Sequence, residues 1–235
     1  MNILITGTSK GIGAALAEKY LKNDHQVFGI SRSHNNSLKT HENFNFLSLD
    51  ISDFVAIENK LPAFIKSVEG FDLIILNAGI LGEIKDLKDT SLHEIKKVMD
   101  VNVWANKLLI DICFENLRGV DQIVAISSGA SQSGSRGWSA YALSKVTLNM
   151  LISLYAAEQK RTHFSAITPG LVDTQMQDYI SGLPDDEHYP VVQKLKKAKN
   201  TPDMPAPSEV AEELIEAFGR AMHYRSGSFL DKREL

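Results

Sequence analysis

Tyr141 and Lys145 stand four residues apart in the run Tyr-Ala-Leu-Ser-Lys, and Ser128 closes the apolar stretch Ile123-Val124-Ala125-Ile126 that precedes them. On a helix a step of four puts two side chains on one face, so the ammonium of Lys145 can lie beside the phenol of Tyr141. A free phenol titrates near pH ~10 and is a poor acid–base group at neutral pH, whereas a neighbouring cation favours the phenolate. The pair is therefore suited to proton transfer, with Ser128 as one hydroxyl able to hold a substrate oxygen at a strand end.

Such a group needs an element that brings a second reactant to it. Asn2-Ile3-Leu4-Ile5-Thr6 reads as a short buried strand, followed at once by Gly7-Thr8-Ser9-Lys10-Gly11-Ile12-Gly13 and a helical stretch from Ala14 to Leu21. A strand, a glycine loop and a helix start let the backbone approach a pyrophosphate, with the helix N-terminal N–H groups facing its charge. The spacing is Gly-x-x-x-Gly-x-Gly, not the commoner Gly-x-Gly-x-x-Gly.

This spacing, with the tyrosine–lysine pair and a serine thirteen residues before the tyrosine, resembles the short-chain dehydrogenase/reductase family. The resemblance runs from Asn2 to about Asp231 through motifs in the family's order. It implies an α/β fold, a Rossmann-type doubly wound parallel sheet of about seven strands with helices on both faces. It also implies an oxidoreductase in which Asn102, Ser128, Tyr141 and Lys145 are catalytic. Lys145 would hold the nicotinamide ribose and lower the tyrosine pKa, and a mid-helix kink at Asn102 would link Lys145 to solvent through a water-binding carbonyl. Coenzyme contacts implied in the same way are Gly7, Ser9, Lys10, Gly11, Ile12 and Gly13 of the loop, Asn77-Ala78-Gly79 beneath the adenosine ribose, and Asp50 at the adenine. Pro169, Gly170, Val172 and Thr174 would meet the nicotinamide and phosphates. Leu76 stands where the family often has a second asparagine. Asp50 has a competing reading as a helix cap, but Ser52 and Asp53 are better placed for that and leave it free.

Coenzyme choice is read at the end of the second strand, Val27-Phe28-Gly29-Ile30-Ser31-Arg32. An NAD-specific protein carries an acid there for the ribose 2′-hydroxyl. Here Ser31 takes that place and Arg32 follows, a guanidinium able to hold a 2′-phosphate through charge-assisted bonds. Lys10 adds a second cation, as in NADP-preferring members of the family, so NADP(H) is the expected coenzyme.

The 235 residues suit one domain, 1–235, with a sizeable core; 43% hydrophobic and 23% charged residues are ordinary for a globular protein. A net charge of −4 gives no electrostatic case for nucleic acid or an anionic membrane. One cysteine, Cys113, excludes an internal disulfide, fits a reducing compartment and reads as a buried small hydrophobe. With no signal-like start and no spanning apolar run, the expected location is cytoplasmic. The seven histidines lack the paired spacings of zinc sites, so no metal is expected. The run Lys194-Leu195-Lys196-Lys197-Ala198-Lys199 reads as a solvated helix face.

Apolar strands near 2–6, 25–31, 44–49, 72–77, 120–127, 163–168 and 227–231 alternate with helices near 12–22, 53–67, 91–117, 138–159, 175–181, 189–198 and 208–222. Ser91-Leu92-His93-Glu94 forms a capping box. The proline-rich stretch near 173–207 breaks this rhythm after a strand's C-terminal end and reads as a substrate lid.

Finer resemblance, in Gly137-Trp138-Ser139-Ala140-Tyr141 and the segment Pro169 to Gln177, is to the branch holding sepiapterin reductases and bacterial benzil reductases. It implies NADPH-dependent reduction of a ketone, a diketone or a pterin side chain, with Asp231 where sepiapterin reductases anchor the pterin. As a residue after a strand, Asp231 is equally a turn residue, and Trp138 either lines the substrate pocket or packs the helix start. A 3-oxoacyl-thioester reductase and a non-catalytic NADP(H)-sensing regulator are the alternatives. The resemblance further implies a homodimer or homotetramer built on the helices near 91–117 and 138–159.

Overall fold

The computed structural model describes Met1–Leu235. Seven strands, β1 (Asn2–Thr6), β2 (Gln26–Ser31), β3 (Phe44–Ser48), β4 (Gly70–Leu76), β5 (Gly119–Ile126), β6 (His163–Thr168) and β7 (Ser228–Asp231), form one parallel sheet. Their order is β3-β2-β1-β4-β5-β6-β7. The order reverses between β1 and β4, the switch point outside whose strand ends ligands bind in such sheets.

Nine helices cover the sheet: α1 (Gly11–Lys22), α2 (Phe54–Ile65), α3 (Leu92–Met99), α4 (Ala105–Asn116), α5 (Ala130–Ser133), α6 (Ser139–Glu158), α7 (Gln175–Ser181), α8 (Pro190–Ala198) and α9 (Pro207–Ala221). Strand side chains alternate between the faces. Leu4, Ile74, Leu76, Ile123 and Ala125 pack under α2, α4 and α6, while Ile3, Ile5, Leu73, Ile75 and Val124 pack under α1 and α9.

Every expected strand is present to within about two residues, because parallel strands buried on both faces are plain apolar runs. The expected single helix 91–117 is instead α3 and α4 joined by a π-helical turn, Asp100–Trp104. Its start is the expected capping box, with Ser91 Oγ accepting from Glu94 N–H and the Glu94 carboxylate accepting from Ser91 N–H. The stretch 173–207 is not irregular throughout, since it contains α7 and α8, and Asp173 N–H donates to Pro205 O at 2.9 Å, so the excursion starts and ends at one place. No helix is long and apolar enough to cross a membrane.

Candidate active site

The glycine loop is tight because three segments meet there. Thr6 Oγ1 accepts from the N–H groups of Asn77 and Ala78, both at 3.0 Å, and Asn77 Nδ2 donates to Thr6 O at 2.9 Å. A Cβ on Gly13 would lie 2.4 Å from both Asn77 Nδ2 and Gly7 O, which no side chain could share. Gly7 has φ +79° and would press on the same asparagine. No side chain caps α1 and no acid lies in its first turn, so its N-terminal N–H groups are left for an anionic ligand. The donors and the cradle both fit a dinucleotide pyrophosphate.

Beside the loop, Ser128 follows β5, and Tyr141 and Lys145 share the first turns of α6. Lys145 is 4% exposed, donates to Ile126 O at 2.7 Å and lies 5.6 Å from the centre of the Tyr141 ring. Burial pushes its pKa down to about 8. Tyr141 moves the other way: burial raises the phenol above its ordinary range, and a hydrogen bond with Ser128 offsets only part of the rise. The expected depression of Tyr141 by Lys145 is thus corrected: desolvation is the larger cause and leaves the phenol a protonated acid at neutral pH.

Asn102 is fully buried within the π-helical turn. Its Oδ1 accepts from Ile80 N–H at 2.8 Å, and its Nδ2 donates to Ile80 O and to Ser144 Oγ, each at 2.9 Å. Ser144 Oγ in turn donates to Tyr141 O at 2.7 Å. The amide therefore ties the segment after β4 to the catalytic helix. Its backbone carbonyl, expected to bind water, accepts Asn106 Nδ2 at 2.8 Å. Gly79 lies against this group, since a Cβ there would be 3.2 Å from Asn102 Oδ1 and 3.8 Å from Lys145 Nζ. Ser144 and Asn106 were missed in the sequence; only their placement on α6 and α4 facing the π-helical turn reveals them.

At the end of β2, Ser31 is buried with Thr8 Oγ1 3.4 Å from its Oγ, and Arg32 is exposed, 4.0 Å from Asp50. Asp50 is not free, contrary to expectation: its Oδ1 accepts from Ser52 N–H at 2.9 Å and Ser52 Oγ at 2.8 Å, which holds the carboxylate below its usual range with help from Arg32. Asp53 is the cap of α2, as expected. Lys10 turns away from Ser31 and Arg32 and donates to Gln175 Oε1 at the start of α7. Ser9 O accepts Asn35 Nδ2 at 3.2 Å, and Ile12 packs against the α1 and α9 core.

Thr174 precedes α7 and its Cγ2 would be 3.6 Å from a Cβ on Gly11, so the glycine loop touches the excursion directly. Val172 is buried, while Pro169 and Gly170 border an open groove of about 950 Å³ that runs between α8 and the C-terminal residues Lys232 and Arg233. None of Ser128, Tyr141 and Lys145 lines that groove, and polar side chains dominate it. Above Tyr141 lies instead an apolar cluster of Leu81, Trp138, Ile180, Val192, Leu195 and Met204. Asp231 is spent on Arg233, accepting from its Nε at 2.9 Å, its Nη2 at 2.5 Å and its backbone N–H at 3.0 Å. Cys113 is buried in the core, where desolvation pushes its thiol up to about 12.

Residues 1–182 match the profile of the family described as short chain dehydrogenase. A benzil reductase ((S)-benzoin forming) of Bacillus subtilis is 29% identical, covering 90% of this chain and 90% of its own. An NADPH-dependent pterin aldehyde reductase of Arabidopsis thaliana is 30% identical over 74% of this chain and 76% of its own. Among solved structures, a short chain dehydrogenase/reductase of Saccharomyces cerevisiae superposes with TM-score 0.85 at 25% identity, covering 98% of this chain and 95% of that one.

Proposed function

We propose that this chain, which belongs to the short-chain dehydrogenase/reductase family of oxidoreductases, reduces a ketone or an adjacent diketone with NADPH, Tyr141 serving as general acid. The observation that carries the reading is the half-buried Tyr141 phenol, its pKa raised by desolvation so that it is an acid at neutral pH, with the buried Lys145 ammonium 5.6 Å from the centre of its ring on the same helix face. Bound at the switch point, the reduced nicotinamide supplies the hydride. Ser128 donates to the substrate oxygen and orients it, and Tyr141 delivers a proton to that oxygen as negative charge develops. Lys145 holds the coenzyme ribose and, once the cleft is filled, stabilises the phenolate left behind. Asn102 fixes the backbone of the catalytic helix through Ser144.

Gly7, Ser9, Gly11, Ile12 and Gly13 would cradle the pyrophosphate with Thr174, Asn77 to Gly79 the ribose, Asp50 the adenine, and Pro169, Gly170 and Val172 the carboxamide side. NADP(H) over NAD(H) is supported by the absence of a carboxylate at Ser31 and by the exposed Arg32 that follows it. The relative named as NADPH-dependent supports the same choice. Residues 1–235 act as one coenzyme-binding domain with 173–207 as its substrate lid. Exposed Leu143, Val146, Met150 and Leu154, spaced along one face of α6, and exposed Trp104 at the start of α4 support self-association through these helices.

The test is oxidation of NADPH, and separately NADH, against diketones, pterins and acetoacetyl thioesters. Diketone turnover with NADPH in clear excess over NADH is expected. Preferred turnover of the thioester would move the assignment to a 3-oxoacyl-thioester reductase, and NADPH binding without turnover of any substrate would favour the non-catalytic sensor.

A further inference from the structure

Trp138 is 7% exposed, and its indole Nε1–H is buried with no hydrogen-bond partner. Indole nitrogen only donates, and a desolvated donor left unpaired is costly, so a folded protein normally supplies an acceptor. None is supplied here: Trp138 packs on one side into the apolar cluster against Tyr141 and on the other borders a cavity lined by Ser131, Ser135 and Arg136, none of which reaches the indole nitrogen. The residue is nevertheless held firmly. Gly137, at φ +92°, passes so close to Tyr189 and Ile84 that a Cβ would lie 2.7 Å and 2.9 Å from them. Gly137 O accepts from Lys85 N–H at 3.3 Å, and Ser139 Oγ donates to Lys85 O at 2.8 Å, which pins the chain on both sides of the tryptophan.

The indole precedes the general acid by one helical turn, and the two ring centres are 6.1 Å apart. Resting on the reductase reading above, we propose that the Trp138 N–H is a second substrate donor, which takes the unreacted oxygen of a vicinal dicarbonyl while Ser128 and Tyr141 hold the reacting one. Adjacent carbonyls carry their oxygens one carbon–carbon bond apart, which suits donors on two neighbouring rings. The apolar cluster between α6 and the α7–α8 segment receives the substituents, and a simple monoketone leaves the indole donor unpaired. Trp138 is thereby a specificity residue for diketones, beyond its part in packing the helix start.

The experiment replaces Trp138 with 3-benzothienylalanine, which keeps the bicyclic shape and exchanges N–H for sulfur, alongside Trp138→Phe. Kinetics are measured with NADPH on benzil and on deoxybenzoin, the same skeleton with one carbonyl. In the isosteric variant kcat/KM for benzil should fall about tenfold while that for deoxybenzoin changes less than about twofold, the signature of one lost hydrogen bond to one oxygen. The melting temperature of the ligand-free variant should stay level or rise, because the deleted donor has no partner in the free protein. Equal losses on both ketones, no loss on either, or a lowered melting temperature would overturn the proposal. Turnover of neither ketone by the unmodified protein would overturn the reductase reading, and with it the diketone as occupant.

Discussion

The glycine loop after β1 and the excursion 173–207 touch each other across Gly11 and Thr174, yet they are held in different ways. The loop is fixed on its backbone: the Thr6 hydroxyl takes the N–H groups of Asn77 and Ala78, the Asn77 amide donates to Thr6 O, and Gly7 and Gly13 leave no room for a Cβ. The excursion, beyond the one main-chain bond from Asp173 to Pro205, is held by side chains, with Lys199 on Asp173 at 2.8 Å and on Asp178 at 2.5 Å, and its apolar cluster packs against Tyr141. In the proposed function the glycine loop would present one geometry to a constant coenzyme, whereas the excursion could exchange its contacts for the substrate. On that reading, ion pairs reaching across α7 and α8 suit a substrate lid that opens, and a cradle without room for a Cβ suits a coenzyme that must always fit.

The largest break in this comparison should come from the loop. Gly13→Ala places a methyl 2.4 Å from Gly7 O, and the backbone cannot yield without moving Asn77. Loss of more than about 3 kcal/mol of stability, or complete loss of NADPH binding in a folded protein, is expected from calorimetry and coenzyme titration. Wild-type affinity in that variant would show the cradle to be looser than described.

Lys145→Met separates stability from function. The buried ammonium, with its pKa pushed down to about 8, is less stable folded than unfolded below that pH. Removing it should therefore raise the unfolding free energy of the ligand-free protein by about 1–3 kcal/mol near neutral pH. Losing the bond to Ile126 O subtracts from the gain. The unfolded lysine binds its proton up to pH ~10.4, so the gain should shrink as pH rises from about 8 towards that value, while activity is lost throughout. A variant less stable at pH 7 and equally so at pH 10 would contradict the desolvation account.

At the end of β2 the effect should be smaller and selective. Ser31→Asp with Arg32→Ala exchanges a guanidinium for a carboxylate beside the 2′ position and should reverse the coenzyme preference, moving the NADPH to NADH ratio of kcat/KM by about one to two decades. Unmodified protein using both coenzymes equally well would sink the electrostatic argument. On the lid, Lys199→Met frees both aspartates and should change KM for the ketone several-fold with coenzyme affinity unchanged. An altered NADPH affinity instead would place Lys199 in the coenzyme site.

The contrast also accounts for what could be read in advance. Buried strands and the glycine spacing were legible because each is imposed locally, by apolar runs and by the backbone's need for residues without Cβ. Tyr141 and Lys145 were legible because helical periodicity alone brings them to one face. The kink at Asn102 follows from the family resemblance and is present as the π-helical turn, but the turn's hydrogen bonds to Ile80 and Ser144 are not legible, since its own sequence does not name them. Lys10 was expected beside Arg32 but reaches Gln175, a partner 165 residues away. Asp53 caps α2 as its position predicts, but Ser52 bonds back to the Asp50 carboxylate, a contact that cap preference alone does not name.

The most direct test of the account is hydride consumption by Tyr141→Phe. This change removes the acid from a site whose phenol is held protonated by burial and leaves the glycine loop untouched. With benzil as substrate, NADPH oxidation should fall by about a thousandfold or more, while fluorescence titration gives an NADPH dissociation constant within about twofold of the unmodified protein. A variant that still reduces benzil at a substantial fraction of the original rate would take the proton-transfer role away from Tyr141 and contradict the account at its centre.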